Sequence, residues 1–209
     1  MRSLLIPILI FLSCDSSPEK TSNELKANMI LSEMTLDEKI GQMAQINITV
    51  IAKGPSKWKS SYPLAIDPKR AKKAIKDFKI GSIINTINGK ALKPSNWRES
   101  MIQIQSFAID STRAKIPIIY GIDGIHGATY AEGATMFPQQ INIAASWNKQ
   151  NAYNMAKVTA YETRAIGIPW NFSPILDLGI APRFPRQFET FGEDPLLVCL
   201  LYTSDAADE

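Results

Sequence analysis

A single carboxylate follows an apolar run of strand length in the middle of the chain. Residues 116–122 are mostly apolar, as expected for a strand that is covered on both faces. Asp123 comes next, surrounded by Gly121, Gly124 and Gly127. An α/β fold places ligand-binding groups at such a strand end, whereas a tight turn with a capping Asp is the alternative. These residues alone leave both interpretations open.

Few other side chains point to cofactor or metal chemistry. His126 is the one histidine of the chain, which excludes most histidine-based metal sites, and we expect it to pack a turn rather than bind a ligand. The chain contains no GxxxxGK[ST] phosphate loop, and the glycines around Asp123 do not have the G-x-G-x-x-G spacing of a dinucleotide site. The sequence therefore predicts neither a cofactor nor a metal ion.

The composition is that of an ordinary globular domain. The chain has 209 residues, of which 45% are hydrophobic and 21% charged, enough for one sizeable core. Its formal net charge is +3, and the lysines are spread along the chain rather than clustered. This pattern excludes the basic footprint that nucleic-acid binding requires, so we expect no nucleic-acid partner.

Helical signals recur through the chain. Thr35 and Glu38 have capping-box spacing, and Asp67 before Pro68 predicts the start of a second helix. Ser95 is the expected cap of a third helix, and a fourth runs from about residue 148 to about residue 165, closed by Gly167. The apolar faces expected for the first three helices are Leu36, Ile40 and Met43; Ala71, Ala74, Ile75 and Phe78; and Trp97, Met101, Ile104, Phe107 and Ala108.

Strand signals alternate with these helices. They cover residues 80–85, the run from residue 116, and residues 170–177, which end at a second carboxylate, Asp177. Alternating strands and helices, with polar residues after the strands, predict an α/β fold with a parallel sheet or barrel. Because a complete (β/α)8 barrel needs about 250 residues, the chain is expected to form roughly the first half of one.

The first residues have the pattern of an export signal. Residues 1–13 combine a basic start with a short apolar run, and Cys14 follows as in a bacterial lipoprotein cleavage box. We expect Cys14 to carry the lipid and residues 14–28 to be a polar tether, so that the protein meets the membrane through its lipid anchor alone. The expected location is the periplasm or the outer membrane. A plain secretory signal with an incidental cysteine is the alternative.

The last residues break the pattern of the preceding sequence. Residues 199–209, CLLYTSDAADE, resemble the translated end of a sequencing adapter that has been read through in frame. We expect this segment to be an artefact, and a genuine acidic tail is the alternative. Cys199 then carries no structural meaning, and neither of the two cysteines implies a disulfide.

Four sequence blocks, in order, resemble the N-terminal barrel domain of glycoside hydrolase family 3. The blocks are residues 34–45 (MTLDEKIGQMAQ), 120–127 (YGIDGIHG), 134–140 (ATMFPQQ) and 160–195 (AYETRAIGIPWNFSPILDLGIAPRFPRQFETFGEDP). The resemblance extends over residues 29–198. It is strongest to exported bacterial β-glucosidases and exo-β-glucanases.

The resemblance implies hydrolysis of terminal non-reducing β-D-glucosyl residues with retention of configuration. That reaction uses two carboxyl groups about 5 Å apart, a nucleophile and an acid/base. In the family both lie in later parts of the protein, so we assign no catalytic residue here and expect this fragment to be inactive. A purely local interpretation would pair Asp123 with Asp177 as acid and nucleophile, and the resemblance argues against it.

The resemblance also identifies two substrate-binding residues. Asp123 matches the Asp that accepts hydrogen bonds from two hydroxyls of the non-reducing sugar. Arg186 matches the Arg that binds the same sugar, although Pro185 replaces the usual glycine before it. For each residue a structural ion pair is the alternative. We expect Glu162, Glu189 and Asp194 to form structural ion pairs and helix caps.

Other functions remain open from the sequence. A non-catalytic glycan-binding lipoprotein would keep the sugar pocket without the acids. Within the family, β-xylosidase or β-N-acetylhexosaminidase specificity is also possible. A barrel enzyme acting on phosphorylated sugars is disfavoured, because no phosphate-binding loop is found.

Overall fold

The computed structural model describes residues 21–56 and 58–205, so the expected signal peptide and Cys14 lie outside the described residues. The chain divides into two units, one ending at Met34 and one beginning at Thr35. In the first unit, helix α1 (Ser22–Glu33) begins at a capping box of Thr21 and Glu24, in which the Thr21 amide donates to Glu24 Oε2 at 2.7 Å. Residues 22–28, assigned above to a polar tether, are therefore helical, because this cap satisfies the first free amides.

The second unit is built on a parallel sheet of four short strands. They are β1 (Gln45–Asn47), β2 (Ser82–Ile84), β3 (Ile119–Ile122) and β4 (Trp170–Asn171), in the order β1-β2-β3-β4. Every neighbouring pair is parallel. Sequential parallel strands with helical connections are the arrangement of a (β/α)8 barrel, and the α/β prediction is confirmed.

Six helices lie in the part of this unit that the structure describes, residues 35–56 and 58–205. They are α2 (Leu36–Gln42), α3 (Pro68–Lys72, continuing as a π-helix over Lys73–Asp77), α4 (Pro94–Ser111), α5 (Gln140–Ala145), α6 (Lys149–Ala165) and α7 (Pro195–Asp205). Short 3₁₀ turns occur at Ile48–Val50 and Gln187–Glu189. None of the helices in the described ranges is long and apolar enough to cross a bilayer.

The helix starts are mostly where the sequence placed them. Thr35 and Glu38 form the predicted capping box, and Asp67 and Asn148 cap α3 and α6. The prediction of Ser95 as the cap of α4 is wrong: the helix begins at Pro94, and Lys93 is the N-cap without a side-chain bond. Proline suits this first position because its fixed φ is helical and it has no amide to satisfy.

The strand at residue 170 is shorter than predicted. Only Trp170–Asn171 pair with β3, and one further backbone bond follows, from the Phe172 amide to the Ile122 carbonyl at 2.9 Å. Pro174 has no amide to donate, and the Ile175 amide instead donates to Oε1 of buried Gln140 at 3.1 Å. The segment after β4 is therefore held by a side chain of α5 rather than by the sheet.

The core consists of two buried clusters. The larger lies between the sheet, α3 and α4, and it includes the predicted α4 stripe Trp97, Met101, Ile104 and Ala108, with Phe107 packed against it. The smaller joins α5, α6 and α7 and includes Leu201, which lies in the segment that resembles adapter sequence. Cys199 is exposed and forms no disulfide within the described residues.

The predicted apolar face of α2 is exposed rather than packed in the core. Leu36, Ile40 and Met43 are 72%, 58% and 87% exposed, whereas Glu38 and Gly41 are buried. Gly41 fits because a Cβ there would lie 2.5 Å from the Phe78 carbonyl oxygen. Phe78 itself is exposed, so its predicted inward position is wrong. Close backbone contact, not apolar spacing, determines how α2 packs.

An ion pair joins α2 to the end of α4. Arg113 donates through Nε to Glu38 Oε1 at 3.0 Å and through Nη2 to Glu38 Oε2. Glu38 also accepts the Thr35 amide at 2.8 Å. The hydrogen bonds from Arg113, followed by the one from Thr35, lower the pKa of Glu38 from 4.5 to about 2.

We predict that this pair makes stability depend on pH in the acid range. Because the folded pKa is depressed, the contribution of Glu38 is fully present above pH 4.5 and is lost as the pH falls towards about 2. In circular-dichroism melts, the Tm difference between wild type and Glu38→Gln should therefore be largest above pH 4.5 and shrink towards pH 2. Glu99→Gln, on the exposed side of α4, is the control and should give no such pH-dependent difference. A Glu38→Gln difference that is constant over this range would contradict the assignment.

Candidate functional site

The end of β3 places Asp123 at the carboxyl edge of the sheet. Tyr120 is fully buried and donates its hydroxyl to the Asn85 carbonyl at 2.6 Å, while the Asn85 amide donates to the Gly121 carbonyl at 3.1 Å. β3 ends at Ile122, and the next side chain, Asp123, is 31% exposed. The carboxylate is thus held by a rigid strand and remains accessible to a ligand.

The residue after Asp123 is held by β4. The Gly124 amide donates to Asn171 Oδ1 at 2.7 Å, and Asn171 Nδ2 donates back to the Gly124 carbonyl at 3.1 Å. Asn171 is not among the site residues predicted from the sequence. In the sequence, Asn171 stands out only as a polar residue between Trp170 and Phe172 in a predicted strand.

Arg186 lies between two carboxylates. Its Nη2 is 4.0 Å from Asp123 Oδ1, whereas Nε and Nη2 both lie 2.6 Å from Glu189 Oε2. Glu189 is nearly buried, and the guanidinium is half exposed. The expected ion pair of Glu189 is confirmed with Arg186 as its partner, and its hydrogen bond raises the pKa of Arg186. Asp123, in contrast, contacts Arg186 through charge without a close hydrogen bond.

Tyr130 belongs to the same group of side chains. It is partly buried against the main core, and its carbonyl accepts the indole Nε1 of buried Trp97 at 2.9 Å. Burial raises the pKa of Tyr130, the negative charges of Asp123 and Glu189 raise it further, and Arg186 lowers it. Four polar side chains therefore share one electrostatic environment at this edge.

The loop after Asp123 is fixed by its own contacts. His126 Nδ1 hydrogen-bonds the Phe137 carbonyl at 2.8 Å, and the Phe137 amide donates to the His126 carbonyl at 2.8 Å, so the histidine packs the turn as predicted. Thr135 donates through its amide and its hydroxyl to Glu162, both at 2.9 Å. Glu162 thereby ties the loop to α6.

The remaining predicted carboxylates lie elsewhere. Asp177 is exposed on the segment after β4, and Asp194 caps α7 by accepting the Leu196 amide at 2.8 Å. Within the described residues no group of three or more metal-binding side chains is found.

A cavity of about 490 Å³ lies between α6 and β4. Its wall includes Asn171 together with Thr159 and Thr163, whose buried hydroxyls have no partner in the described part of the chain. Asp123 and Arg186 do not line it. The cavity is therefore distinct from the group around Asp123 and adjoins it at Asn171.

The sequence and the fold have counterparts in known proteins. The family model "Glycosyl hydrolase family 3 N terminal domain" matches residues 35–205. The chain belongs to glycosyl hydrolase family 3.

Named relatives and a solved structure of family 3 resemble the chain. It is 36% identical over 179 residues to lysosomal beta glucosidase of Dictyostelium discoideum, covering 82% of this chain and 21% of that protein. It is 31% identical over 173 residues to periplasmic beta-glucosidase of Salmonella typhimurium, and the match covers 82% of this chain and 19% of that protein. The crystal structure of an exo-1,3/1,4-beta-glucanase from a Pseudoalteromonas species superposes with a TM-score of 0.72 at 25% identity. The superposition covers 90% of this chain and 22% of the glucanase chain. The family 3 chain thus spans about a fifth of the length of these relatives.

We predict that the Tyr130 phenol reports the charges around it. Asp123→Asn should lower the pKa of Tyr130, because a negative charge is removed, whereas Arg186→Gln should raise it. Alkaline spectrophotometric titration measures the pKa of Tyr130. The titration curve of the same protein carrying Tyr130→Phe is subtracted, so that only the Tyr130 phenol contributes. Asp110→Asn, on exposed α4 surface, should leave the titration unchanged. Shifts of the same sign for both variants would contradict the arrangement.

Proposed function

We propose that the chain is the N-terminal part of an exported β-glucosidase of family 3. The intact protein would remove terminal non-reducing β-D-glucosyl residues from β-glucosides or β-glucans, with retention of configuration. The observation that carries this proposal is the position of Asp123 and Arg186, side by side at the carboxyl edge of the sheet. The names of the relatives, two β-glucosidases and an exo-glucanase, support the substrate class.

Asp123 would bind the terminal sugar through its hydroxyls. An ionised carboxylate has only acceptors, so both oxygens can take hydroxyl protons at once. The partial exposure of Asp123 leaves it open to a sugar, and the cationic Arg186 lies beside it, with Nη2 4.0 Å from Oδ1. Charge-assisted hydrogen bonds of this kind are stronger than neutral ones, which suits recognition of one sugar ring.

Arg186 would bind the same sugar beside Asp123. Its bonds to Glu189 use Nε and Nη2, which leaves the Nη1 donors for a ligand. Because Glu189 fixes the guanidinium, little side-chain entropy would be lost on binding. We propose that the nucleophile and the acid/base, which a retaining mechanism requires, come from parts of the protein beyond residue 198.

We predict that Asp123 determines sugar affinity in the intact protein. In the product of the complete reading frame, Asp123→Ala should weaken glucose binding and lower kcat/KM on an aryl β-glucoside by about a hundredfold or more, because two charge-assisted bonds are lost. Asp110→Ala on exposed α4 is the matched control and should leave both values unchanged. Isothermal titration with D-glucose and steady-state kinetics measure the two effects.

Two results would contradict the proposal. The first is turnover of the aryl glucoside by the 209-residue chain alone, since its catalytic groups would then lie within it. The second is binding of glucose by the intact protein without hydrolysis, which would favour a non-catalytic glycan-binding protein.

We also propose that Cys14 carries the lipid that holds the exported protein on a membrane. Wild type, expressed in a bacterium with lipoprotein processing, should partition into the detergent phase and incorporate labelled palmitate. Cys14→Ser should move to the aqueous phase, because acyl chains are the only proposed anchor. Cys199→Ser, the control, should remain with the detergent. Wild-type protein in the aqueous phase would contradict lipidation.

A further inference from the structure

The carboxamide of Asn171 makes two hydrogen bonds to one residue, the one that follows Asp123. Gly124 donates its amide to Oδ1 at 2.7 Å and accepts from Nδ2 at 3.1 Å. The backbone fixes which end of the carboxamide is oxygen, because an amide N–H can face only an acceptor and a carbonyl only a donor. The Gly124 amide belongs to the peptide group that joins Asp123 to Gly124. Asn171 therefore fixes the main chain immediately after Asp123.

This contact begins where the sheet ends. The β3–β4 ladder stops at the pair Ile122 and Asn171, and the Phe172 amide then donates to the Ile122 carbonyl at 2.9 Å. Ordinary strand pairing therefore secures the chain before Asp123 but not after it. The Asn171 side chain replaces the missing strand partner for one further residue.

The contact also depends on the absence of a side chain at position 124. A Cβ there would lie 2.9 Å from Asn171 Oδ1, closer than such contacts normally are. Gly124 is buried, so a larger residue would push the carboxamide away rather than turn outward. Glycine at 124 and asparagine at 171 thus form one matched pair across 47 positions of sequence.

Asparagine is the side chain that this arrangement requires. It offers one acceptor and one donor in a plane, which match the Gly124 N–H and C=O. Aspartate has no donor, and its negative charge would face the Gly124 carbonyl. Leucine has the right size but neither group.

We infer that Asn171 is a positioning residue, which sets the direction of the Asp123 carboxylate through the Gly124 backbone. The inference rests on the proposed function, in which Asp123 binds the terminal sugar. Misplacement of a binding group by a fraction of an ångström weakens its hydrogen bonds, because these fall off steeply with angle and distance.

Glucose affinity in the intact protein tests this role. Asn171→Ala and Asn171→Asp should each weaken D-glucose binding about tenfold or more in isothermal titration. In protein that already carries Asp123→Ala, the Asn171→Ala change should alter the affinity less than about twofold, because its effect passes through Asp123.

Asn96→Ala is the matched structural control. Asn96 also donates a side-chain bond to backbone, from Nδ2 to the Leu64 carbonyl at 2.8 Å, on α4. Its loss should lower the Tm without changing glucose affinity. Variants of Asn171 whose Tm falls no further than that of Asn96→Ala, but which bind glucose weakly, would show positioning rather than general destabilisation.

The outcomes separate this inference from the proposed function. If Asp123→Ala leaves glucose affinity unchanged, the proposed function fails and the inference fails with it. If Asp123→Ala weakens binding but Asn171→Ala does not, the inference alone is overturned. Equal weakening by Asn171→Ala with and without Asp123 would also overturn it, since the residue would then act independently of the carboxylate.

Discussion

Parallel pairing of β3 with both of its neighbours determines where the candidate site lies. Ile84 of β2 pairs with Gly121, and Asn171 of β4 pairs with Ile122, so the three strands end at nearly the same level. Their polar successors must therefore meet at one edge of the sheet. Buried Tyr120 and Ile122 hold β3 in the core, which makes the position of Asp123 a consequence of the whole sheet.

The two carboxylates at that edge contact Arg186 unequally. Glu189 binds Arg186 with two short contacts, whereas Asp123 stays 4.0 Å from the same guanidinium. Glu189 thus pairs with Arg186 and orients its guanidinium. Asp123, which is the more exposed of the two carboxylates, keeps its oxygens available. We propose that this asymmetry distinguishes the structural carboxylate from the sugar-binding one.

Part of this arrangement could be predicted from local sequence, and part could not. Local sequence places Asp123 at a strand end but leaves its role open, and the sugar-binding role comes from the family resemblance. The caps Thr35 and Asp67 can be predicted locally because they act within the first turn of a helix. Arg186 came from the family resemblance alone, since nothing in its own neighbourhood points to Asp123. Asn171 was missed because its partner Gly124 lies 47 positions away.

The errors in packing have the same origin. The spacing of Leu36, Ile40 and Met43 describes one face of a helix, but it does not say on which side the sheet lies. Backbone contact at Gly41 and the ion pair of Glu38 decided that instead. β1 was overlooked because Gln45–Asn47 has polar residues at both ends and too few positions for a period.

A crystal structure of the intact protein with D-glucose would test the central proposal most directly. The account predicts that both carboxylate oxygens of Asp123 lie about 2.5–3.0 Å from two hydroxyls of one sugar ring, with Arg186 on the same ring and the Asn171–Gly124 bonds intact. A glucose bound in the pocket of the intact barrel without a hydrogen bond to Asp123 would contradict it.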